Sequence, residues 1–320
     1  MSDVSYHERV NALQALASTG PAPFDRPEWY ALLADRRAEP LFVTNGQSAL
    51  ALAREDGALV SLANWYSFTW RPLNPQQQSL DTIAGALRKR AHRVSLAPVP
   101  DEDGSASALE AAFRKAGWQV TREACDHNHI LPVNGRSFSE YWAQRPGRMR
   151  TTFKRKAKKV ETQIVTRFEE DVWQSYEEIY RSSWKPEEGD TALLRSFAEQ
   201  EGVAGRLRLG LARHDGQPVA AQFWTVENGV AYIHKLAHLE ELKALSAGTT
   251  LSAALFEHVI DTDRVDLVDF GTGNDAYKRD WMELDRPRYR IDCLDPRQPR
   301  AWPALAKRAL RRLAPRRSAS

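Results

Sequence analysis

Apolar and polar positions alternate in short runs along most of the chain, and the breaks fall on turn-forming pairs. Leu41–Thr44, Ala49–Arg54 and Ala58–Ala63 read as strands. Asn45-Gly46 and Asp56-Gly57 separate them, and such pairs favour hairpin turns. Residues 5–18 predict a helix, and Pro27 suits the first turn of a second helix carrying Trp29 and Leu33. A helix over 79–91, a strand over 93–97, a helix over 105–116 and a strand over 118–133 complete the first half. The stretch 137–160 predicts helix broken at Pro146-Gly147, with Met149, Phe153, Ala157 and Val160 on one face. A strand over 161–168 and helices over 169–183 and 190–202 follow. Strands over 206–213, 218–226 and 229–238 are joined at Asp215-Gly216 and Asn228-Gly229. A helix over 248–261 and strands over 265–270 and 287–294 come last.

Antiparallel strands followed by a strand–helix–strand unit therefore occur in both halves. This predicts an α/β protein of two similarly planned units, residues 1–135 and 136–296, with antiparallel-rich sheets flanked by helices. The remaining segment, 297–320, has Pro299 and Pro303 and then a short basic helix, Ala304 to Leu313.

A hydrophobic share of 42% and ten Trp indicate packed cores and exclude a disordered chain. Apolar runs fall far short of a membrane span, and the start, MSDVSYHERV, lacks the apolar segment of a secretory signal. Two distant cysteines, Cys125 and Cys293, form no disulfide framework, which fits a reducing cytosol. Net charge is only +3 but uneven: Arg145–Lys159 holds eight bases and no acid, and eight more follow Asp295, again without an acid. Such blocks suit an anionic partner or a solvated face.

The chemistry concentrates between Tyr232 and Trp281. An apolar strand leads into Ser246-Ala247-Gly248-Thr249-Thr250, which opens an amphipathic helix with Leu251, Leu255 and Val259 on its buried face. Small residues let backbone amides approach a pyrophosphate, and the helix adds the positive end of its dipole. The same loop also reads as a turn capped by Ser246 or Thr249. Tyr277 lies beyond Gly271-Thr272-Gly273, where a phenol could protonate a leaving thiolate. Lys278 and Arg279 could hold phosphates, while Tyr277 and Trp281 could equally form a packed helical face. If strand alternation holds, His234 and His238 share a face; His234 is the candidate base. Cys125, His127 and His129 are a poor tetrahedral set, so no metal is expected. A Walker loop and a nucleophile elbow are both lacking.

YIHKLAH, SAGTTL and VDFGTGNDAYKRDWM together resemble the GNAT-like acyltransferases of the CelD/BioF2-type branch, related to the Fem aminoacyltransferases. Looser likeness extends to Pro27-Glu28-Trp29, SLANWYSFTWRPL and YWAQRPGRMRTTFKRKAKKV, so it covers most of 25–295. Ala247 stands where that family usually has proline. The resemblance implies tandem GNAT-like halves, the first degenerate and the second holding the donor site. It implies an acyl-CoA donor and, by spacing, roles for Asn274 and Tyr277 like those of the GNAT asparagine and tyrosine. Expected activity is acyl transfer to an amine or hydroxyl of a sugar or envelope/exopolysaccharide precursor, in the cytoplasm. A Fem-like transferase using aminoacyl-tRNA and a non-catalytic binding protein of a polysaccharide assembly are the alternatives. Nucleic acid is otherwise disfavoured as a partner, because 145–159 lacks interleaved aromatics. Peripheral contact with an anionic membrane is expected of the basic helix 304–313.

Overall fold

The computed structural model describes residues 3–16, 20, 22–36, 39–273 and 275–313. It divides into two compact units, one up to Asp126 together with Pro287 onward, the other His127–Arg286. The changeover lies upstream of residue 135, and the last strand returns to the first unit.

The first half of the chain contains β1 (Ser5–His7), α1 (Pro27–Ala34), β2 (Pro40–Thr44), β3 (Ala49–Glu55), β4 (Ala58–Ser61), α2 (Gln77–Leu87), β5 (Arg93–Val99), α3 (Ser105–Lys115) and β6 (Gln119–Pro132). Next come α4 (Phe138–Ala143), α5 (Gly147–Lys156), β7 (Glu161–Val165), α6 (Glu170–Arg181), α7 (Thr191–Val203), β8 (Leu207–His214), β9 (Gln217–Glu227), β10 (Val230–His238) and α8 (Ala247–Glu257). The chain continues with β11 (Leu267–Asp269), α9 (Lys278–Trp281), β12 (Leu284–Leu294) and α10 (Trp302–Leu313).

Each unit is α/β with a mostly antiparallel sheet flanked by helices, as the pattern predicts. Strand order is β1-β2-β3-β4-β5-β12 in the first unit and β7-β8-β9-β10-β11-β6 in the second. Directions match as well. Three antiparallel pairings lead to a parallel pair, β4 with β5 or β10 with β11, and an antiparallel sixth strand closes the set. The halves thus repeat one plan, but each takes its sixth strand from the other half of the chain.

Hairpin geometry follows from the turn residues. Asp56-Gly57, Asp215-Gly216 and Asn228-Gly229 all have positive φ at both positions, which the right-handed twist of paired strands demands. At Asn45-Gly46 the turn is longer, and Asn45 Oδ1 accepts from the amides of Gln47 and Ser48. The helix expected over 5–18 is replaced by β1, paired with β2 from Ser5↔Thr44 to His7↔Phe42, and a 3₁₀ helix over Val10–Leu16. Tyr6 and its neighbours cover an edge that would otherwise be bare. The helix expected to run to 261 ends at Glu257 and passes into a single π turn, His258–Thr262.

In the second unit, adjacent residues of β9 sort the helices. Phe223 meets Trp173 of α6 and Phe197 of α7, whereas Trp224 meets Phe256 of α8. Successive strand residues point to opposite faces, so α6 and α7 cover one face and α8 the other. Leu251 and Leu255 of α8, and Val259 of the π turn that follows, are fully buried. At Gly210 of β8 a Cβ would meet Leu255 and Leu251 at 2.9 and 3.0 Å, so the missing side chain sets how closely α8 lies on the sheet.

Candidate functional site

β10 and β11 pair only over Val230–Tyr232 with Leu267–Asp269. β10 then runs on to His238, while β11 stops and the chain turns through Gly271 and Gly273, both at positive φ. A cavity of about 690 Å³ occupies the region beyond. Its walls come from α5 (Arg148, Met149, Thr152), the end of β10 (Leu236, His238), the start of α8 (Ser246 to Thr249, Ser252) and the turn after β11 (Phe270, Asp275, Tyr277). Asp280, Trp281, Trp184, Glu240 and Lys243 complete it.

The small-residue loop is a helix N-terminus opening on this cavity. Ser246 sits at the N-cap with φ 56°, a left-handed conformation that turns the chain abruptly into α8, and its side chain makes no capping bond. The capped-turn alternative is therefore not what forms. Ser246 Oγ instead accepts from Lys156 Nζ at 3.2 Å, bringing an ammonium beside the first turn. The amide of Thr250 already bonds the Ser246 carbonyl, leaving Ala247, Gly248 and Thr249 as the first-turn amides that a helix cannot satisfy internally. A buried glutamine fixes this turn: Gln222 Nε2 donates to the Gly248 carbonyl (3.1 Å) and Ser252 Oγ (2.7 Å), while its Oε1 accepts from Trp224 Nε1. Thr250 is buried, its hydroxyl turned back to the Ser246 carbonyl, and does not line the cavity.

The two histidines part company. Register shifts between Ile233 and Lys235, so the alternation that would align them is broken at a bulge. His234 stacks on Phe223 (4.9 Å) with its Nε2 2.8 Å from Thr225 Oγ1, within the α6–α7 layer and outside the cavity lining. His238 lines the cavity, its ring tilted against Trp184 with centroids 4.2 Å apart and pressed against Gly248, where a Cβ would lie 3.3 Å from Nδ1. Its Nε2 is buried and has no hydrogen-bond partner among the described residues. Burial lowers the His238 pKa below 6.5 despite Glu240 opposing it, with Lys243 and Lys185 adding to the fall. At neutral pH this imidazole is uncharged and free to accept a proton.

Tyr277 reaches the cavity edge-on to Phe270, with ring centroids 5.7 Å apart. Burial of the phenol, reinforced by the Asp275 carboxylate, raises its pKa well above 10, so it stays protonated and able to donate. Asp269 Oδ1 accepts from the Gly271 amide at 2.8 Å and also bonds Asn128, which holds the turn carrying Tyr277. Lys278 is directed inward: its ammonium is buried and donates to the carbonyls of Phe270 and Thr272, a structural task rather than phosphate contact. Arg279 is exposed and outside the lining, and Asn274 lies outside the described residues.

The small-residue loop and the basic segment, separate in the sequence, meet in the fold. Lys156 and Ser246 are 90 residues apart, and spacing carries no signal for that contact. Arg145, in the same basic run, is buried against Glu283 (2.6 Å) and the Trp281 carbonyl, so the run is not uniformly solvated.

A second cavity, about 510 Å³, lies by α6 and α7 and is lined by Trp173, Tyr176, Tyr180, Lys185 and Glu188 among others. Glu188 pairs with Lys235 of β10 at 3.0 Å. Trp184 and Lys185, consecutive residues, line the first and second cavities respectively. No group of three or more His, Cys, Asp or Glu among the described residues could hold a metal ion.

Residues 147–279 match the family model described as an acetyltransferase (GNAT) domain. No curated protein matches the chain. Among solved structures, FemX superposes with a TM-score of 0.64 at 9% identity, covering 91% of this chain and 97% of that one. L-PGS from Bacillus licheniformis gives 0.62 at 13%, covering 93% and 96%. The C-terminal domain of a putative lysylphosphatidylglycerol synthetase from Agrobacterium fabrum gives 0.58 at 12%, covering 88% and 91%. At such identities the likeness is one of fold. Matched sequence and cleft together identify residues 147–279 as a GNAT-type acyltransferase domain.

Proposed function

We propose that the second unit transfers an acyl group from acyl-CoA to an amine or hydroxyl of a sugar or envelope precursor, as the resemblance to the CelD/BioF2-type branch implies. One observation carries this reading: the uncapped first turn of α8 opens, beside Lys156, into a cavity that also presents the Tyr277 phenol and the His238 imidazole. Amides of Ala247, Gly248 and Thr249 would bind the donor pyrophosphate, with Lys156 neutralising charge. The acceptor nucleophile attacks the thioester carbonyl directly. The His238 imidazole, at the cavity wall, takes the proton the nucleophile loses, the carbon–sulfur bond breaks, and Tyr277 protonates the departing thiolate. His238 thereby fills the role that the sequence assigned to His234. The aromatic-lined second cavity suits the acceptor, since flat ring faces and paired charges can hold a hydroxylated ring. Protein with a cytoplasmic donor would work in the cytoplasm.

The basic helix α5 favours a second reading, a Fem-like transfer from aminoacyl-tRNA, because Arg148, Thr152 and Lys156 lie along the donor cavity or its loop. Calorimetric titration with acetyl-CoA, repeated with tRNA as competitor over a range of salt, separates the two. Saturable acetyl-CoA binding that tRNA leaves unchanged supports the first; absent CoA binding with salt-sensitive tRNA binding replaces it with the second. Binding of donor without turnover on any hydroxyl or amine acceptor would favour the non-catalytic alternative.

A further inference from the structure

We infer that α10 is a docking surface for an anionic lipid bilayer. The inference stands apart from the acyltransferase reading, since α10 belongs to the first unit.

The helix has two unlike sides. Its inner side is held down: Ala301, just before it, is fully buried, and Arg308 bonds the Asp292 carboxylate and the carbonyls of Gln119 and Asp292. Its outer side is apolar and bare. Trp302 is 56% exposed and Leu310 68%, and Ala306 and Ala309, also exposed, lie with them at helical spacing. Trp302 is not loosely attached, because its Nε1 donates to the Pro296 carbonyl at 3.0 Å. A fixed indole beside an apolar stripe is the arrangement that seats a helix at a membrane interface. No helix among the described residues is long and apolar enough to cross a membrane, so α10 would lie along the surface.

Charge selects the occupant. Of the eight bases that follow Asp295, Arg308 pairs with Asp292 and Arg297 with Asp295, no acid follows to offset the others, and exposed Lys307 flanks the stripe. A second copy on the same face would bring two such segments together, like charge against like. Nucleic acid would satisfy the bases and leave the apolar stripe in water. Anionic lipid satisfies both, with headgroups for the bases and acyl boundary for Trp302 and Leu310.

Co-sedimentation of the full chain with phosphatidylcholine vesicles containing increasing phosphatidylglycerol tests this. Bound fraction is expected to rise with phosphatidylglycerol and fall with salt. Trp302→Glu with Leu310→Glu should lower partitioning at least tenfold, with only the small drop in melting temperature that loss of the Trp302–Pro296 bond brings. Lys307→Glu, a milder exposed change, should lower it roughly fivefold or more and serves if the double variant does not fold. Equal sedimentation of wild type and Lys307→Glu, or no preference for phosphatidylglycerol, overturns the proposal. So does a concentration-dependent dimer abolished by the double variant without vesicle binding, or salt-sensitive RNA binding that the double variant retains.

Discussion

Gly248 is where donor binding and helix geometry meet, and its replacement gives opposite signs for stability and affinity. In Gly248→Ala the new methyl would lie 3.3 Å from His238 Nδ1 and 3.9 Å from two ring-side carbons. That is tight by a few tenths of an ångström, and the imidazole can yield. Alanine gains up to about 1 kcal/mol over glycine in a helix, less in a first turn. Melting should therefore stay within about 1 kcal/mol of wild type. The methyl also shields an amide that would bind phosphate. Losing one hydrogen bond to a charged group costs about 1.5–3 kcal/mol, or roughly 10- to 150-fold in donor Kd. Gly248→Asp goes further: a carboxylate about 5 Å from a phosphate charge, at an effective dielectric near 20, adds about 3 kcal/mol of repulsion. Calorimetry with coenzyme A, and with pantetheine as a phosphate-free control, reads both effects. Coenzyme A binding should weaken in Gly248→Ala and vanish in Gly248→Asp, with pantetheine little changed. Wild-type coenzyme A affinity in Gly248→Asp would refute phosphate binding at α8.

Tyr277→Phe should lower turnover on the order of 10²–10⁴ with donor affinity kept; unchanged turnover in a steady-state assay would return the ring to packing against Phe270. For His238 the depressed pKa predicts that wild-type kcat/KM is level near pH 7 and falls with acidification below about 6.5, a limb that His238→Gln should lose. The same shift makes its contribution to stability complete above about 6.5 and lost as pH falls through the lower folded-state value, which melting curves across that range would show. Lys278→Met should destabilise the fold more than it weakens coenzyme A binding, because its ammonium serves the Phe270 and Thr272 carbonyls; the reverse order would make it a donor ligand. Asp295 is pushed up by burial but brought down to about 2 by hydrogen bonds from Arg88 and Arg297. It should therefore supply about 2 kcal/mol above pH 4, lost towards pH 2; an Asp295→Asn variant as stable as wild type at pH 6 would contradict this.

Local grammar made the scaffold readable. Asp-Gly and Asn-Gly pairs marked four hairpins, and the spacing of Leu251, Leu255 and Val259 marked the buried side of α8 and the π turn after it. Pro27 likewise opened α1. What spacing could not carry were events that depend on partners far along the chain. The bulge at His234 is such an event: the sequence shows only alternation, whereas the pairing of β10 with β9 skips a residue. Exchange of His238 for His234 in the cavity follows from that one slip. Lys278 reads from sequence as a phosphate ligand, whereas in the fold its ammonium donates to the carbonyls of Phe270 and Thr272. The first residues read as helix because composition does not reveal an unprotected β2 edge waiting for β1.

The exchanged sixth strands bear on how the protein is made. A chain emerging from the ribosome delivers β1 to β5 early, but the partner that belongs beside β5 arrives only with Pro287–Leu294, and Asp295, the partner of Arg88, only after that. The inserted unit needs only β6, already synthesised, and can close by Arg286. Birth order and completion order are thus reversed: the unit that begins first finishes last. Through some 190 residues of synthesis, roughly 10–40 s at common elongation rates, β5 would present an open edge, the kind of surface that chaperones and neighbouring nascent chains recognise.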